Sequence, residues 1–182
     1  MTTLRPLLFA FLIGSAGAGL GTKVSDSAAC PGSCETTIRY SLDPRFGEEE
    51  QGIIAEAAAA WEQGTGGRVC FQKGGSDLEF IRLDEQKDLE KEDPDWQRHV
   101  ALCKNGRIWL VPSKVDDRDE YVALAIHEIG HHIGLSHIED TQATYMHSTI
   151  NDTPRWLKAN AAIPERDRRE FCRVHACICA AQ

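Results

Sequence analysis

The sequence has few of the features expected of a membrane-embedded or nucleic-acid-binding protein. Its 182 residues include 20 lysines and arginines against 28 aspartates and glutamates, which gives a formal net charge of −8 at pH 7. This shortage of positive charge argues against nucleic acid or anionic lipid as a partner. After the N-terminal residues, no apolar run is long enough to cross a bilayer. Internal repeats and low-complexity linkers are also lacking, so we expect one compact domain.

The N-terminal residues have the organisation of a secretory signal. A short basic start over residues 1–5 precedes an apolar core over 7–13, and small residues suited to signal peptidase follow at 15–18. We therefore expect a signal peptide over 1–18, a short segment over 19–35, and a folded domain with a cysteine-rich tail over 36–182. This organisation predicts a secreted protein, extracellular or periplasmic, without membrane attachment after cleavage.

The cysteine content supports this location. All seven cysteines lie beyond the expected cleavage site, and exported chains keep such residues mainly as disulfides. Because seven is an odd number, at least one is free or bonded to another chain. Metal binding by the cysteines and histidine near the C-terminus is an alternative, although export favours disulfides. The pairing does not follow from the sequence. The seven are Cys30, Cys34, Cys70, Cys103, Cys172, Cys177 and Cys179.

One short segment, from His127 to His137, reads H-E-x-x-H-x-x-G-x-x-H. On a helix, His127 and His131 project from the same face and can reach one metal ion. Gly134 suits the left-handed backbone of a helix C-cap, after which the chain can bend back and supply His137 as a third ligand. Three protein ligands leave one position open for water, which is typical of catalytic zinc. We therefore predict one catalytic Zn²⁺ on these three histidines, with Glu128 close to the water.

The flanking residues predict the start and the faces of the helix that carries this motif. Acidic residues before Tyr121 suit a helix start through capping and the helix dipole. These are Asp116, Asp117 and Asp119. Apolar residues at helical spacing predict a buried stripe, and the other side is expected to line a cleft. The stripe is Val122, Ile126, Ile129 and Ile133; the cleft side is Leu124, His127, Glu128, His131 and Leu135. His132 is rotated by about 100° from its neighbour and should miss the metal. No motif includes His99, His147 or His175.

The extended motif resembles that of the metzincin clan of zinc endopeptidases, which pairs it with a downstream methionine turn. Apart from Met1, the chain has one methionine, Met146, which follows the third histidine in the sequence Ala-Thr-Tyr-Met-His-Ser. The resemblance implies that Met146 forms an apolar floor beneath the zinc. An ordinary core methionine is the alternative, since methionine readily fills irregular gaps.

The order of the predicted elements resembles a matrixin-type catalytic domain. The sequence predicts strands over 37–42, 77–81 and 107–111, a helix over 52–61, and a last helix after Pro164. The resemblance covers residues 36–176. It implies an α+β fold in which a twisted mixed β-sheet packs on two long helices, one carrying the zinc ligands, with a further helix at the C-terminus.

The resemblance implies a secreted zinc-dependent endopeptidase that hydrolyses the peptide bonds of a polypeptide substrate. Zinc activates a water in this chemistry, and Glu128 would act as the general base before passing the proton to the departing amine. An extended substrate would pair with an edge strand, for which the segment 108–111 is the candidate. Because all three imidazoles must be neutral to bind the metal, we expect activity to fall in mild acid.

Two other classes of protein fit parts of the sequence. One is a secreted, disulfide-stabilised module that binds zinc without peptidase activity, and the other is a metal-independent interaction domain. The intact Glu128 argues against the first, because a structural zinc site does not need that carboxylate. The acidic stretch 84–95 is expected to be a solvated loop or a short exposed helix. Structural Ca²⁺ there is compatible with the related matrixins, but no loop spacing supports it.

Several positions depart from the metzincin pattern. Ile138 follows the third histidine, where each metzincin subfamily tends to have its own polar, acidic or proline residue. Ser148 stands where some relatives have a tyrosine near the zinc. A cysteine-switch segment is lacking, and Cys30 and Cys34 are expected to form part of a disulfide element. Substrate preference would depend on the loop 148–162. Oligomeric state does not follow from the sequence.

Overall fold

The computed structural model describes residues 34–92, 99–139 and 143–175. The expected signal peptide and the last residues of the cysteine-rich tail lie outside these ranges. The elements in chain order are β1 (Thr36–Leu42), α1 (Glu48–Gly64), β2 (Val69–Lys73), β3 (Leu78–Arg82), α2 (Gln86–Glu92), β4 (Ala101–Lys104), β5 (Arg107–Leu110), α3 (Arg118–His132), α4 (Arg155–Lys158) and α5 (Glu165–Val174). In this part of the chain, no helix is long and apolar enough to cross a membrane.

The strands form a five-stranded mixed sheet in the order β2-β1-β3-β5-β4. β1 is parallel to both β2 and β3, and β3 is parallel to β5, whereas β4 is antiparallel to β5. β5 is therefore an interior strand, and β4 lies at the edge of the sheet as described. The prediction that segment 108–111 offers a free edge to a substrate is thus wrong, because β3 and β4 already occupy both edges of β5.

The sheet and the two long helices α1 and α3 enclose one hydrophobic core. Alternate residues of the central strands, such as Leu78 and Phe80 on β3, are buried in it. From α1, the fully buried Trp61 donates a hydrogen bond from Nε1 to the carbonyl oxygen of Ile126 at 2.8 Å. This bond fixes the middle of α3, the helix that carries the zinc motif, against α1. The predicted α+β fold is confirmed.

α1 begins earlier than the apolar pattern alone predicts. Its first turn holds Glu48, Glu49 and Glu50, which suit the positive end of the helix dipole. The Glu50 carboxylate also accepts a hydrogen bond from the backbone N–H of Gly47 at 2.8 Å. The spacing of apolar residues indicates only the buried part of a helix, so it does not predict an exposed, acidic first turn.

The helix α2 lies within the acidic stretch 84–95. It covers the second face of the sheet. The prediction of a short helix is correct, but the prediction that it is exposed is wrong at Leu89, which is fully buried against Leu102 and Trp109. Just before α2, Asp84 pairs with Arg82 and with Arg45, the latter at 3.6 Å. Within the described ranges, no acidic cluster was found that could hold a metal ion. The acidic residues 93–95 lie outside those ranges.

A disulfide links Cys34, just before β1, to Cys70 on β2. It ties the start of the described chain to the sheet, and it bears out the expected disulfide role of Cys34. Cys172 is also disulfide-bonded, whereas Cys103 is a free thiol. The remaining cysteines, Cys30, Cys177 and Cys179, lie outside the described residues.

Candidate zinc site

Local sequence defines both ends of α3. Asp117 is the N-cap, and its carboxylate accepts a hydrogen bond from the backbone N–H of Glu120 at 2.8 Å, as the acidic residues predict. At the other end Gly134 has φ +94. The N–H of Gly134 bonds to the carbonyl of His131 and that of Leu135 to the carbonyl of Gly130, both at 3.0 Å. This Schellman arrangement ends the helix and turns the chain back, as the glycine predicts.

The three motif histidines converge on one point. Nε2 of His131 lies 3.0 Å from Nε2 of His127 and 3.1 Å from Nε2 of His137. One ligand atom from each ring lies within 4.8 Å of the other two. These separations suit a single ion with metal–nitrogen bonds of about 2.0–2.1 Å. His127 is buried and His137 is exposed, so the centre lies where the core meets a solvent-accessible cleft.

Backbone carbonyls fix the orientation of two of these rings. Nδ1–H of His127 donates to the carbonyl oxygen of Tyr145 at 2.7 Å, and Nδ1–H of His131 donates to that of Leu135 at 2.8 Å. With the proton on Nδ1, each ring presents its lone pair at Nε2, where the three rings meet. Burial lowers the pKa of His127 to about 3 and also lowers the pKa of His131. Both rings are therefore neutral at neutral pH, as metal binding requires.

The turn around Met146 supports the site from the other side. Its carbonyl oxygen accepts a hydrogen bond at 2.7 Å from the backbone N–H of Ile138, the residue after the third histidine. The Met146 side chain is fully buried against α3. At Gly130, a Cβ atom would lie 2.5 Å from Met146 Sδ, so only glycine allows this close approach. The role of Met146 as an apolar floor beneath a zinc ion stays a prediction.

A buried carboxylate on α5 holds this turn in place. Asp167 is fully buried and accepts hydrogen bonds from the backbone N–H of Tyr145, at 2.9 Å, and from the hydroxyl of Thr144. Burial raises the pKa of Asp167, while these two hydrogen bonds act to lower it. Tyr145 is the residue whose carbonyl orients the first histidine. Asp167 belongs to no motif, so sequence analysis missed it.

Glu128 lies next to His127 in a cavity of about 490 Å³. Its side chain is buried, and this burial raises the pKa of its carboxyl to about 8. A bound cation would act in the opposite direction, because it favours the charged carboxylate. The cavity wall includes part of the loop 148–162, on which substrate preference is expected to depend. The lining residues from this loop are Ser148, Thr149, Ile150 and Asn151; those from the site helix are Glu120, Leu124, His127 and Glu128.

Comparison with known proteins agrees with this geometry. A family model for matrixins matches residues 39–172. The chain belongs to the matrixin family. No curated protein sequence matches it. Among solved structures, archaemetzincin from Methanopyrus kandleri shares the fold, with a TM-score of 0.53 and 15% identity over 80% of this chain and 98% of that one. As a matrixin, the protein is a zinc metalloendopeptidase that acts on polypeptides, which confirms the predicted resemblance.

The other four histidines of this matrixin lie outside the three-histidine cluster, and their surroundings differ. His132 faces a second cavity of about 450 Å³ together with His175, whose ring donates to the carbonyl oxygen of Ile133 at 2.6 Å. His132 is therefore not part of the three-histidine cluster, as its helical position predicts. His147 is buried after the methionine turn. His99, in contrast, lines the cavity that contains Glu128, which no sequence motif indicated.

Proposed function

We propose that this matrixin is a secreted endopeptidase in which the three motif histidines hold one zinc ion and Glu128 is the general base. The convergence of the three Nε2 atoms beside a buried carboxylate carries this proposal. The ligands would be His127, His131 and His137. When bound, zinc supplies Lewis-acid chemistry, which makes water a better nucleophile near neutral pH and polarises a peptide carbonyl.

Glu128 moves the proton in this scheme. One of its carboxylate oxygens accepts a proton as water attacks the carbonyl carbon, and the carboxyl then gives that proton to the departing amine nitrogen as the C–N bond breaks. Enclosure in the cavity strengthens the electrostatic interactions of the carboxylate.

An extended polypeptide would lie in the cleft along the free edge of β4. β4 pairs with β5 on one side only in the described sheet, so its other edge has backbone groups available for a substrate strand. Backbone hydrogen bonds of this kind bind peptides of many different sequences equally well. The cavity of about 490 Å³ has room for one large substrate side chain beside Glu128. Discrimination between substrates would therefore come mainly from this cavity.

Secretion is supported by the disulfide between Cys34 and Cys70, because such bonds form and persist in oxidising compartments. Residues 1–18, the expected signal, lie outside the described part of the chain. Expression of the full chain with a C-terminal tag tests this. We expect a product in the medium or periplasm that lacks about the first 18 residues by N-terminal sequencing. A full-length product kept in the cytoplasm would contradict secretion.

Cleavage of an unfolded protein by the purified, disulfide-bonded chain tests the proposed catalysis. We expect zinc-dependent cleavage that a chelator abolishes, and a loss of about 10²–10⁴-fold in kcat in Glu128→Gln. Metal analysis should find one zinc per chain in both proteins. Glu90→Gln, at an exposed position on α2, is the matched control and should retain full activity. A folded, zinc-loaded wild type that cleaves no member of a broad peptide pool would instead favour the zinc-binding module without peptidase activity.

A further inference from the structure

An ion pair between Glu120 and Lys158 connects α3 with the loop 148–162, and both of these segments line the cavity that contains Glu128. Lys158 Nζ lies 3.6 Å from Glu120 Oε1, and the side chains of Lys158 and Glu120 are only 13% and 19% exposed. Glu120 itself lines the cavity. Because little solvent screens these two charges, they act more strongly on a bound side chain than exposed charges do.

The backbone on both sides of this ion pair is anchored. The N–H of Glu120 donates to the carboxylate of the N-cap residue Asp117 at 2.8 Å. On the other side, the residue before Lys158 is the buried Leu157, whose carbonyl oxygen accepts a hydrogen bond from the hydroxyl of Tyr145 at 2.6 Å. Two different elements therefore present the two charges to each other, which distinguishes this pair from a contact between mobile surface side chains.

The position of Glu120 on α3 decides which substrate side chains can reach the pair. Glu120, Leu124 and Glu128 follow one another at steps of four residues, so they lie on the same face of the helix, and all three line the cavity. Eight residues of helix separate Glu120 from Glu128, a distance of about 12 Å along the axis. A side chain that enters beside Glu128 and packs on Leu124 therefore brings only its far end close to the pair. The pair is placed to distinguish long side chains by the charge at their ends.

Two other charged residues, Lys114 and Asp116, line the same cavity. Both are exposed, so water and salt weaken their effect on a bound side chain. Their charges are also opposite, and neither sign prevails between them. The shielded pair of Glu120 and Lys158 is therefore the stronger determinant of which charge the cavity accepts.

We propose that Glu120 and Lys158 determine substrate specificity, because each cancels the charge of the other and the cavity then accepts a long side chain without net charge, such as methionine or glutamine. This rests on the proposed function, which brings a substrate side chain into the cavity. A cationic side chain would have to compete with Lys158 for Glu120, and an anionic one with Glu120 for Lys158. Loss of either partner would leave a shielded charge unpaired, and a substrate side chain of opposite charge would then be favoured.

Removal of each partner in turn tests the inference. In a peptide set, methionine, glutamine, lysine or glutamate stands next to the scissile bond on either side, and kcat/KM is measured for each peptide. The wild type should cleave the methionine and glutamine peptides best. In Lys158→Met, the ratio of kcat/KM for the lysine peptide to that for the glutamate peptide should rise by about 10-fold, and in Glu120→Gln it should fall by about as much. The double variant Glu120→Gln/Lys158→Met should return to the wild-type preference.

Three further variants serve as controls. Lys158→Arg keeps the positive charge and should keep the wild-type ratio. Lys91→Met removes a lysine that pairs with Asp88 at 2.6 Å on α2, outside the cavity, so it should keep both the wild-type ratio and the wild-type kcat. Lys114→Met removes an exposed cation from the cavity itself and should change the ratio much less than Lys158→Met does. Each variant should bind one zinc per chain, which shows that the metal centre is intact.

Either single variant decides the question, because the two expected shifts have opposite signs and a merely structural role predicts no such reversal. An unchanged ratio in a folded Lys158→Met or Glu120→Gln protein would overturn the inference. So would a shift in Lys114→Met as large as that in Lys158→Met, since the total charge of the cavity would then select the substrate. A wild type that cleaves none of the peptides would overturn the proposed function and the inference together, whereas an active wild type with unchanged ratios in both variants would overturn the inference alone.

Discussion

At the residue scale, the burial of His127 makes the metal-free protein sensitive to acid. Burial lowers the pKa of this ring to about 3, against a value of 6.5 for an unperturbed imidazole. At a pH between these two values, His127 therefore binds a proton in the unfolded chain but not in the folded one. His127 contributes stability that is present above pH 6.5 and is lost as the pH falls toward 3. Between pH 7 and pH 5 we expect this residue to lower the free energy of unfolding by about 2 kcal/mol.

Denaturant unfolding of the metal-free chain at pH 7 and pH 5 measures this effect. Other half-buried histidines act in the same direction, so the comparison that isolates His127 is His127→Gln. The decrease in unfolding free energy between the two pH values should be smaller in this variant by about the same 2 kcal/mol. If wild type and variant lose equal stability between the two pH values, the ring is not held neutral by burial.

A second prediction at this scale concerns Gly130. Alanine normally stabilises a helix interior relative to glycine by about 1 kcal/mol. Here the new Cβ would lie 2.5 Å from Met146 Sδ and 3.1 Å from Trp61 Cζ2, both in the core. We therefore expect Gly130→Ala to destabilise the protein by about 1–3 kcal/mol. Gly52→Ala on α1 is the matched control, because nothing lies within 4 Å of its Cβ position, and it should be neutral or stabilising.

Thermal or denaturant unfolding of both glycine variants decides this prediction. Opposite signs of the change in unfolding free energy are expected. A stabilised Gly130→Ala would mean that the methionine turn can move away from α3 at little cost. In that case the turn would not hold the first and third histidines as closely as the hydrogen bonds from His127 to Tyr145 and from Ile138 to Met146 indicate.

At the element scale, α5 supports the candidate zinc site although it contributes none of the three histidines. Asp167 of α5 holds Tyr145 and Thr144, and the carbonyl of Tyr145 orients the first histidine. Loss of an outer partner of a metal-binding histidine typically lowers metal affinity by about 10–100-fold. We expect a loss of this size in Asp167→Ala, and a smaller loss in Asp167→Asn, which retains one acceptor oxygen.

Competition with a chelating dye measures the zinc affinity of these variants. Asp152→Ala is the matched control, because this exposed aspartate lies in the loop between the methionine turn and α4. Its zinc affinity should equal that of the wild type. An Asp167→Ala protein that is folded and binds zinc normally would show that the turn keeps its position without α5.

The sequence is most informative about elements whose signals are local. It predicts α3 from Asp117 at its start and Gly134 at its end, and it predicts three strands and the last helix. It misses β2 and β4, which have only five and four residues. β2 also depends on pairing with β1, far earlier in the chain, whereas β4 pairs with the next strand, β5. His99 and Asp167 are missed for a related reason. Each is a single polar residue whose position in the site follows only from tertiary contacts.

At the scale of the whole molecule, the disulfide between Cys34 and Cys70 restrains the unfolded chain. The two cysteines are 36 residues apart, and closing a loop of this length is worth about 4 kcal/mol. We expect Cys34→Ala/Cys70→Ala to lower the free energy of unfolding by about this amount. Cys103→Ala, which removes a free thiol, is the control and should cost less. Denaturant titrations under non-reducing conditions provide the comparison, and equal losses in the two proteins would contradict it.

The acceptors that orient His127 and His131 are main-chain oxygens, of Tyr145 and Leu135. Every amino acid has this atom, so no substitution at positions 145 or 135 can delete the acceptor, although it can cost stability. The orientation of the two rings is therefore encoded in the path of the chain and not in the identity of the neighbouring side chains. A metal centre of this kind can survive extensive sequence drift, provided that the path is kept.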